Sequence, residues 1–122
     1  MSPGKGLPDG PLGPWGEAFV RAELEKRGFR LVGHNMRVSG IELDLVMRRR
    51  RQFWVIEVKT AREPQRPEEN LSSRQLRRLR RAVAVLEAAL RPGSRRVSLR
   101  LAAVTVRQDA TAYLRFFRLA FS

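Results

Sequence analysis

The amino-acid sequence predicts a single α/β domain. Its 122 residues, 43% of them hydrophobic, suffice for one modest core and give no reason to invoke a second. Hydrophobic periodicity sets the order of elements: two segments repeat apolar residues at helical spacing, and five run apolar or alternating over strand lengths. Glycine, proline and polar clusters separate them, and the order reads helix, strand, strand, strand, helix, strand, strand.

Residues 1–13, MSPGKGLPDGPLG, hold four glycines and three prolines and read as a flexible N-terminal tail, leaving 14–122 as the domain. In 14–28, Ala18, Phe19, Ala22 and Leu24 fall at helical spacing between an early Pro14 and a terminating Gly28. FRLVGHN is a short strand, and SGIELDLVMRRRRQFWVIEVKT reads as two strands joined by an arginine turn at 48–51. AREPQRPEENL, with two prolines among polar groups, is a loop. The second helix follows with Ser72 or Ser73 as N-cap, an apolar stripe of Leu76, Leu79, Val83, Leu86 and Leu90, and Pro92-Gly93 as its stop. RRVSLRLAAVTV, a QDA turn and TAYLRFFRLAFS supply the last two strands.

Composition removes several chemistries. The chain has no cysteine, which excludes disulfides, thiolate metal sites and cysteine nucleophiles, and its one histidine, His34, argues against His-rich metal sites and Ser-His-Asp catalysis. No apolar run approaches a membrane span and no signal-peptide core is present, so a cytoplasmic protein without a membrane partner is expected. Twenty-five Lys and Arg against 12 Asp and Glu leave a net charge of +13, which makes nucleic acid, DNA first, the expected partner. Arginine inflated by a GC-rich genome or by thermophily is the competing explanation, although ion-pair networks raise acidic residues as well. Only three basic residues are lysines, and Lys59 is the one lysine beyond residue 26. A lysine amid so many arginines suggests a place where a compact, titratable amine is required.

In FWVIEVKT, residues 53–60, strand alternation puts Phe53, Val55, Glu57 and Lys59 on one face and Trp54, Ile56, Val58 and Thr60 on the other. The preceding strand places Glu42, Asp44 and Val46 on one face and Leu43, Leu45 and Met47 on the other. If the two strands pair, their carboxylates converge, and mutual repulsion then calls for a cation. Oxygen donors without sulfur or imidazole suit Mg²⁺ or Mn²⁺. A neighbouring lysine can orient or deprotonate an attacking water, so the implied chemistry is phosphodiester hydrolysis. The plainer alternative is a solvent-facing Glu57–Lys59 pair on a half-exposed sheet, with Glu42 and Asp44 matched to arginines such as Arg37.

ELDLV followed after a short turn by VIEVKT resembles the PD-(D/E)xK nuclease signature. With GEAFVRAELEKRGFRLVGHN, the basic second helix and a closing LAFS, the chain resembles the YraN family of endonuclease-like proteins from about residue 14 onward. The wider fold brings archaeal Holliday junction resolvases into view. The resemblance implies a restriction-endonuclease-like three-layer sandwich with a mixed central sheet flanked by helices. It implies Asp44, Glu57 and the Val58 carbonyl as ligands of Mg or Mn, Lys59 as the water-positioning residue, and Glu17 as a further acid brought to the site. Glu17 reads equally as a first-turn glutamate favoured by the helix dipole. Glu42 matches the first acid of the family's Gly-Glu-Ile-Asp segment.

Two positions depart from that pattern. The family's glycine falls at Ile41, with Gly40 one place earlier, and a lysine frequent at the start of the second helix is Arg74 here. Arg74, Arg77, Arg78 and Arg81 on the second helix, with Arg48, Arg49, Arg50 and Arg51 in the turn, are the candidate phosphate contacts. They read equally as solvated faces over an apolar stripe. The expected function is metal-dependent hydrolysis of DNA, branched or structured DNA included, and cutting a junction would need two active sites and hence a homodimer. The alternatives are a non-catalytic nucleic-acid-binding module on the same fold and an interaction protein whose basic surface docks an acidic partner.

Overall fold

The computed structural model describes residues 12–90 and 96–119. The first element is helix α1, Gly13–Lys26. Pro14 enters it at a position where a missing N–H costs little, and Gly28 leaves it at φ +89°, a left-handed conformation that glycine adopts without strain. Its buried stripe is Gly16, Val20 and Leu24. Ala18 and Ala22, expected on that stripe, are exposed. Gly16, not an apolar side chain, makes the closest approach: a Cβ there would lie 1.9 Å from Thr60 Oγ1. Reading apolar side chains alone therefore rotates the helix away from its true contact face.

Strand β1, Arg30–Val38, pairs antiparallel with β2, Ile41–Arg49. Ser39 and Gly40, at φ +52° and +77°, make the two-residue turn between them, a geometry that matches the twist of the flanking strands. Gly40 thus serves the turn, which frees Ile41 to pack against the core. A turn at Arg50 and Arg51 leads into β3, Gln52–Arg62, antiparallel to β2. After a loop and a 3₁₀ turn at Pro67–Asn70 comes helix α2, Ser73–Ala89, whose N-cap Ser72 accepts a hydrogen bond from Gln75 N–H. This crossover lets β4, Arg96–Val106, run parallel to β3. Strand β5, Ala112–Arg118, returns antiparallel at the edge, and the sheet order is β1-β2-β3-β4-β5.

Each face of this mixed sheet carries one helix. Val20 and Leu24 of α1 pack with Leu45, Met47, Ile56, Ala102 and Val104. Leu79, Ala82 and Val83 of α2 pack on the opposite face with Leu43, Val46, Phe53, Val55 and Leu99. Three layers follow, as in a restriction-endonuclease-like sandwich. Among the described residues no helix is long and apolar enough to cross a membrane. Residues 1–11 of the expected tail, the Pro92-Gly93 stop and the final 120–122 lie outside the described residues.

Strand β3 keeps the expected alternation, but β2 does not. Leu43 joins the α2 side, whereas Leu45 and Met47 join the α1 side. The cause lies in β1, where Asn35 stands between the pairs His34↔Leu45 and Met36↔Leu43 at φ +51°. A left-handed residue inside a strand rotates the chain and re-aims its neighbours, and Asn tolerates that conformation better than most residues.

Candidate active site

The β2–β3 ladder runs from Arg49↔Gln52 to Leu45↔Ile56 and stops. The next pair would be Asp44 and Glu57. Instead, Asp44 Oδ2 accepts a hydrogen bond from the Val58 N–H at 2.9 Å, so a side chain takes over where the backbone ladder ends. The strands part at this point, opposite left-handed Asn35. Because a strand residue's N–H and C=O leave by the same edge, the Val58 carbonyl faces the same gap.

Glu57 is 4% exposed although it is ionisable. Gln75, in the first turn of α2, donates its side-chain N–H to Glu57 Oε2, and Lys59 Nζ stands 3.3 Å from the same oxygen. Burial first, then the charge and hydrogen bond of Asp44, push the Glu57 carboxyl up to about 8, with Lys59 acting in the opposite direction. Two carboxyl groups forced together away from water favour sharing a proton or a cation. The charged strand is therefore neither solvated nor simply ion-paired.

Helix α1 brings a third acid. Glu17 Oε1 lies 3.0 Å from His34 Nε2 on β1. Burial and the negative charge of Asp44 hold its carboxyl above the usual range, His34 pulls it down, and Glu42 adds a smaller upward push. Close packing of Gly16 on Thr60 sets α1 low enough for this reach. Glu42 itself is exposed, opposite Arg37 in β1, and lines a cleft of about 550 Å³ with Ser72, Arg74, Gln75 and Arg78.

The structure thus gathers Asp44, Glu57 and Lys59 tightly, with Glu17 and Glu42 at their margins. Among the described residues no three or more Asp, Glu or His side chains form a ready metal cage. The donor set that fits a hard divalent cation is the Asp44–Glu57 pair with the Val58 carbonyl and solvent. His34 and Gln75 were given no role by the sequence. His34 could have been found from the β1–β2 register, since it stands opposite Leu45, next to Asp44. Gln75 left no such signal, because only the packing of α2 brings it to Glu57.

The arginines divide. Arg74 and Arg78 wall the cleft, while Arg77 and Arg81 are exposed along α2 without lining it. Arg48, Arg49, Arg50 and Arg51 occupy the far end of the hairpin, and from Arg51 to Glu57 the strand extends about 20 Å. Two of them are tied to the fold. Arg49 Nη1 donates to the Arg27 carbonyl at 3.1 Å beyond the end of α1, and its guanidinium lies 4.6 Å from the Phe29 ring. Arg48 Nε donates to the Arg50 carbonyl at 3.0 Å, and its guanidinium lies over Phe53.

A family model described as Uncharacterised protein family UPF0102 matches residues 16–115. A UPF0102 protein of Parvibaculum lavamentivorans is 39% identical over 85 residues, 70% of this chain and 64% of that protein. One of Maricaulis maris is 34% identical over 76 residues, 62% and 60% of the two chains, and one of Syntrophotalea carbinolica is 39% identical over 51 residues, 42% of each. The chain therefore spans less than two thirds of the length of these relatives. With its three-layer fold and the parted strands at Asp44 and Glu57, the chain belongs to the UPF0102 family, the endonuclease-like YraN family.

Proposed function

We propose that the chain is a divalent-metal-dependent nuclease that hydrolyses phosphodiester bonds of DNA. The observation that carries this reading is the convergence of Asp44, buried Glu57 and Lys59 at the point where β2 and β3 part. Asp44, Glu57 and the Val58 carbonyl would hold Mg²⁺ or Mn²⁺. When bound, such an ion acidifies a water, orients a phosphate and neutralises developing charge.

The chain's own residues do the rest. Lys59, on the same face as Glu57, orients the attacking water and can accept its proton, a role arginine does not fill. Gln75 fixes the Glu57 carboxylate from α2, and the Val58 N–H fixes that of Asp44. Glu17, held by His34, is placed to bind or orient a second water at the edge of the site. Arg74 and Arg78 offer guanidinium groups to the phosphates of a strand in the cleft. A branched substrate cut at two symmetric points would require a second copy of the chain.

One observation favours a second reading, a nucleic-acid-binding module that does not cut: a net charge of +13 with exposed arginines along α2 suffices to hold phosphates without a metal. Calorimetric titration with Mg²⁺ and Mn²⁺, followed by cleavage assays on linear, flapped and four-way DNA, separates the two. The nuclease reading expects saturable metal binding and cleavage that Glu57→Ala and Lys59→Ala abolish. Salt-sensitive DNA binding with neither metal binding nor cleavage would leave the module.

A further inference from the structure

A second concavity, of about 360 Å³, opens beside the proposed site, lined by Pro64, Arg66, Glu68, Thr105, Tyr113 and Arg115 among others. Sheet register fixes its relation to Lys59. Lys59 pairs with Ala103 and Ala103 with Arg115, while Ala61 pairs with Thr105 and Thr105 with Tyr113. Cross-strand partners share a face, so Arg115 and Tyr113 stand on the Glu57–Lys59 face, with Arg115 two strand spacings, about 10 Å, from Lys59 at the backbone.

The chemistry of this pocket is that of a planar, hydrogen-bonding, uncharged ligand. Arg115 Nη2 is paired with Glu68 Oε1 at 2.7 Å, so its charge is already balanced and it does not form a phosphate cradle. Tyr113 supplies a flat aromatic wall, with the Arg115 guanidinium 5.6 Å from its ring centroid, while Arg107, 4.2 Å from that centroid, lines a neighbouring concavity. Two buried polar atoms of its lining residues, Thr105 Oγ1 and Arg115 Nε, have no hydrogen-bond partner among the described residues. Thr105 is only 5% exposed, so its unpaired hydroxyl is costly until a partner arrives from outside the fold. Flat π surfaces beside unmet hydrogen-bonding groups are how proteins hold unstacked nucleobases.

We propose that this pocket receives one unpaired nucleobase of the strand whose phosphate lies at Asp44, Glu57 and Lys59, so that the preferred substrate carries single-stranded nucleotides beside the cleaved bond. The inference rests on the reading of the chain as a nucleic-acid enzyme. It adds the strand's state, and Tyr113, Thr105 and Arg115 as the residues that sense it.

The test is equilibrium binding of the full chain, in EDTA, to a fluorescent oligothymidylate and to the same sugar-phosphate backbone without bases. Wild type should prefer the base-bearing strand by about tenfold, the scale of one base–aromatic stack. Tyr113→Leu should erase that preference while leaving the abasic strand bound as before, and Tyr113→Phe should retain it. Thr105→Val, which keeps the buried shape, should weaken only the base-bearing strand, by about threefold, and covers the case in which Tyr113→Leu does not fold. Equal affinity of wild type for both strands, absence of binding, or an equal loss on both strands in the variants overturns the pocket. Base preference without Mg²⁺-dependent cleavage supports the pocket and overturns hydrolysis; cleavage without base preference does the reverse.

Discussion

Replacing Glu57 with glutamine tests the electrostatics of the site without disturbing its shape. In the folded chain the Glu57 carboxyl is pushed up from a usual 4.5 to about 8, by burial and then by Asp44. Its folded pKa therefore exceeds its unfolded one, and between those values the folded state holds a proton that the unfolded state has released. Stability from this group is fully present below about pH 4.5 and is lost as pH rises through about 8, at about 1.4 kcal/mol per pH unit. Across the window the loss is on the order of 5 kcal/mol, a large share of what a domain this size commands. Glutamine keeps the volume but cannot ionise, so Glu57→Gln should lack this slope. The assay is urea denaturation of both proteins in EDTA at steps from pH 5 to pH 8. The difference in unfolding free energy should shift steadily toward the variant with pH, because every other group is common to the two proteins. Mg²⁺ should restore wild type near pH 8 and leave the variant unchanged, and calorimetry near pH 7 should find protons released on metal binding by wild type and not by the variant. Parallel pH profiles, or metal binding without proton release, would refute the placement of Glu57 as a buried carboxyl beside Asp44.

Asp44→Ala leaves the Val58 N–H without its partner and should cost about 1–3 kcal/mol in denaturation experiments, whereas Asp44→Asn keeps an acceptor and should stay near wild type in stability while losing the metal-binding heat. Gly16→Ala drives a methyl into Thr60 Oγ1 and should destabilise by about 1–3 kcal/mol, with partial recovery in the double variant that also carries Thr60→Ala. Arg74→Gln with Arg78→Gln should lower the slope of log affinity for duplex DNA against log salt by about 2, while Arg49→Gln should leave the slope intact and lower the melting temperature through its lost bond to Arg27. Lys59→Arg should reduce cleavage by about 100-fold or more with DNA affinity nearly unchanged, since it keeps charge but not a titratable amine. Retained activity in that variant would remove Lys59 from proton transfer.

Much of the fold could be read from local pattern because local physics controls it. Pro14, Gly28 and Ser72 act within a few residues of themselves, and the apolar stripe of α2 and the alternation of β3 state directly which side each element buries. What local pattern did not reveal shares a feature: each point depended on an atom far away in sequence. The contact face of α1 is set by a glycine under which Thr60 fits, and glycine carries no hydrophobic signal. The faces of β2 change over opposite Asn35, a backbone rotation invisible to a period-two count. The arginines of the hairpin turn resemble those of α2 in sequence, but the strand length carries them to the opposite end of the sheet, where Arg48 and Arg49 brace the fold.

The sequence by itself determined the elements, their order and the identity of the charged trio, because a carboxylate and a lysine in an apolar strand are unfavourable enough to stand out wherever they occur. Only the tertiary structure decided what those charges experience. The parting of β2 from β3, the descent of α1 onto Thr60 and the packing of α2 over Glu57 place Asp44, Lys59, Gln75 and Glu17 around a single gap. Burial and proximity, not residue type, raise the Glu57 carboxyl toward neutrality. Such effects depend on distance and exposure in three dimensions, and neither is encoded in the spacing of residues along a chain.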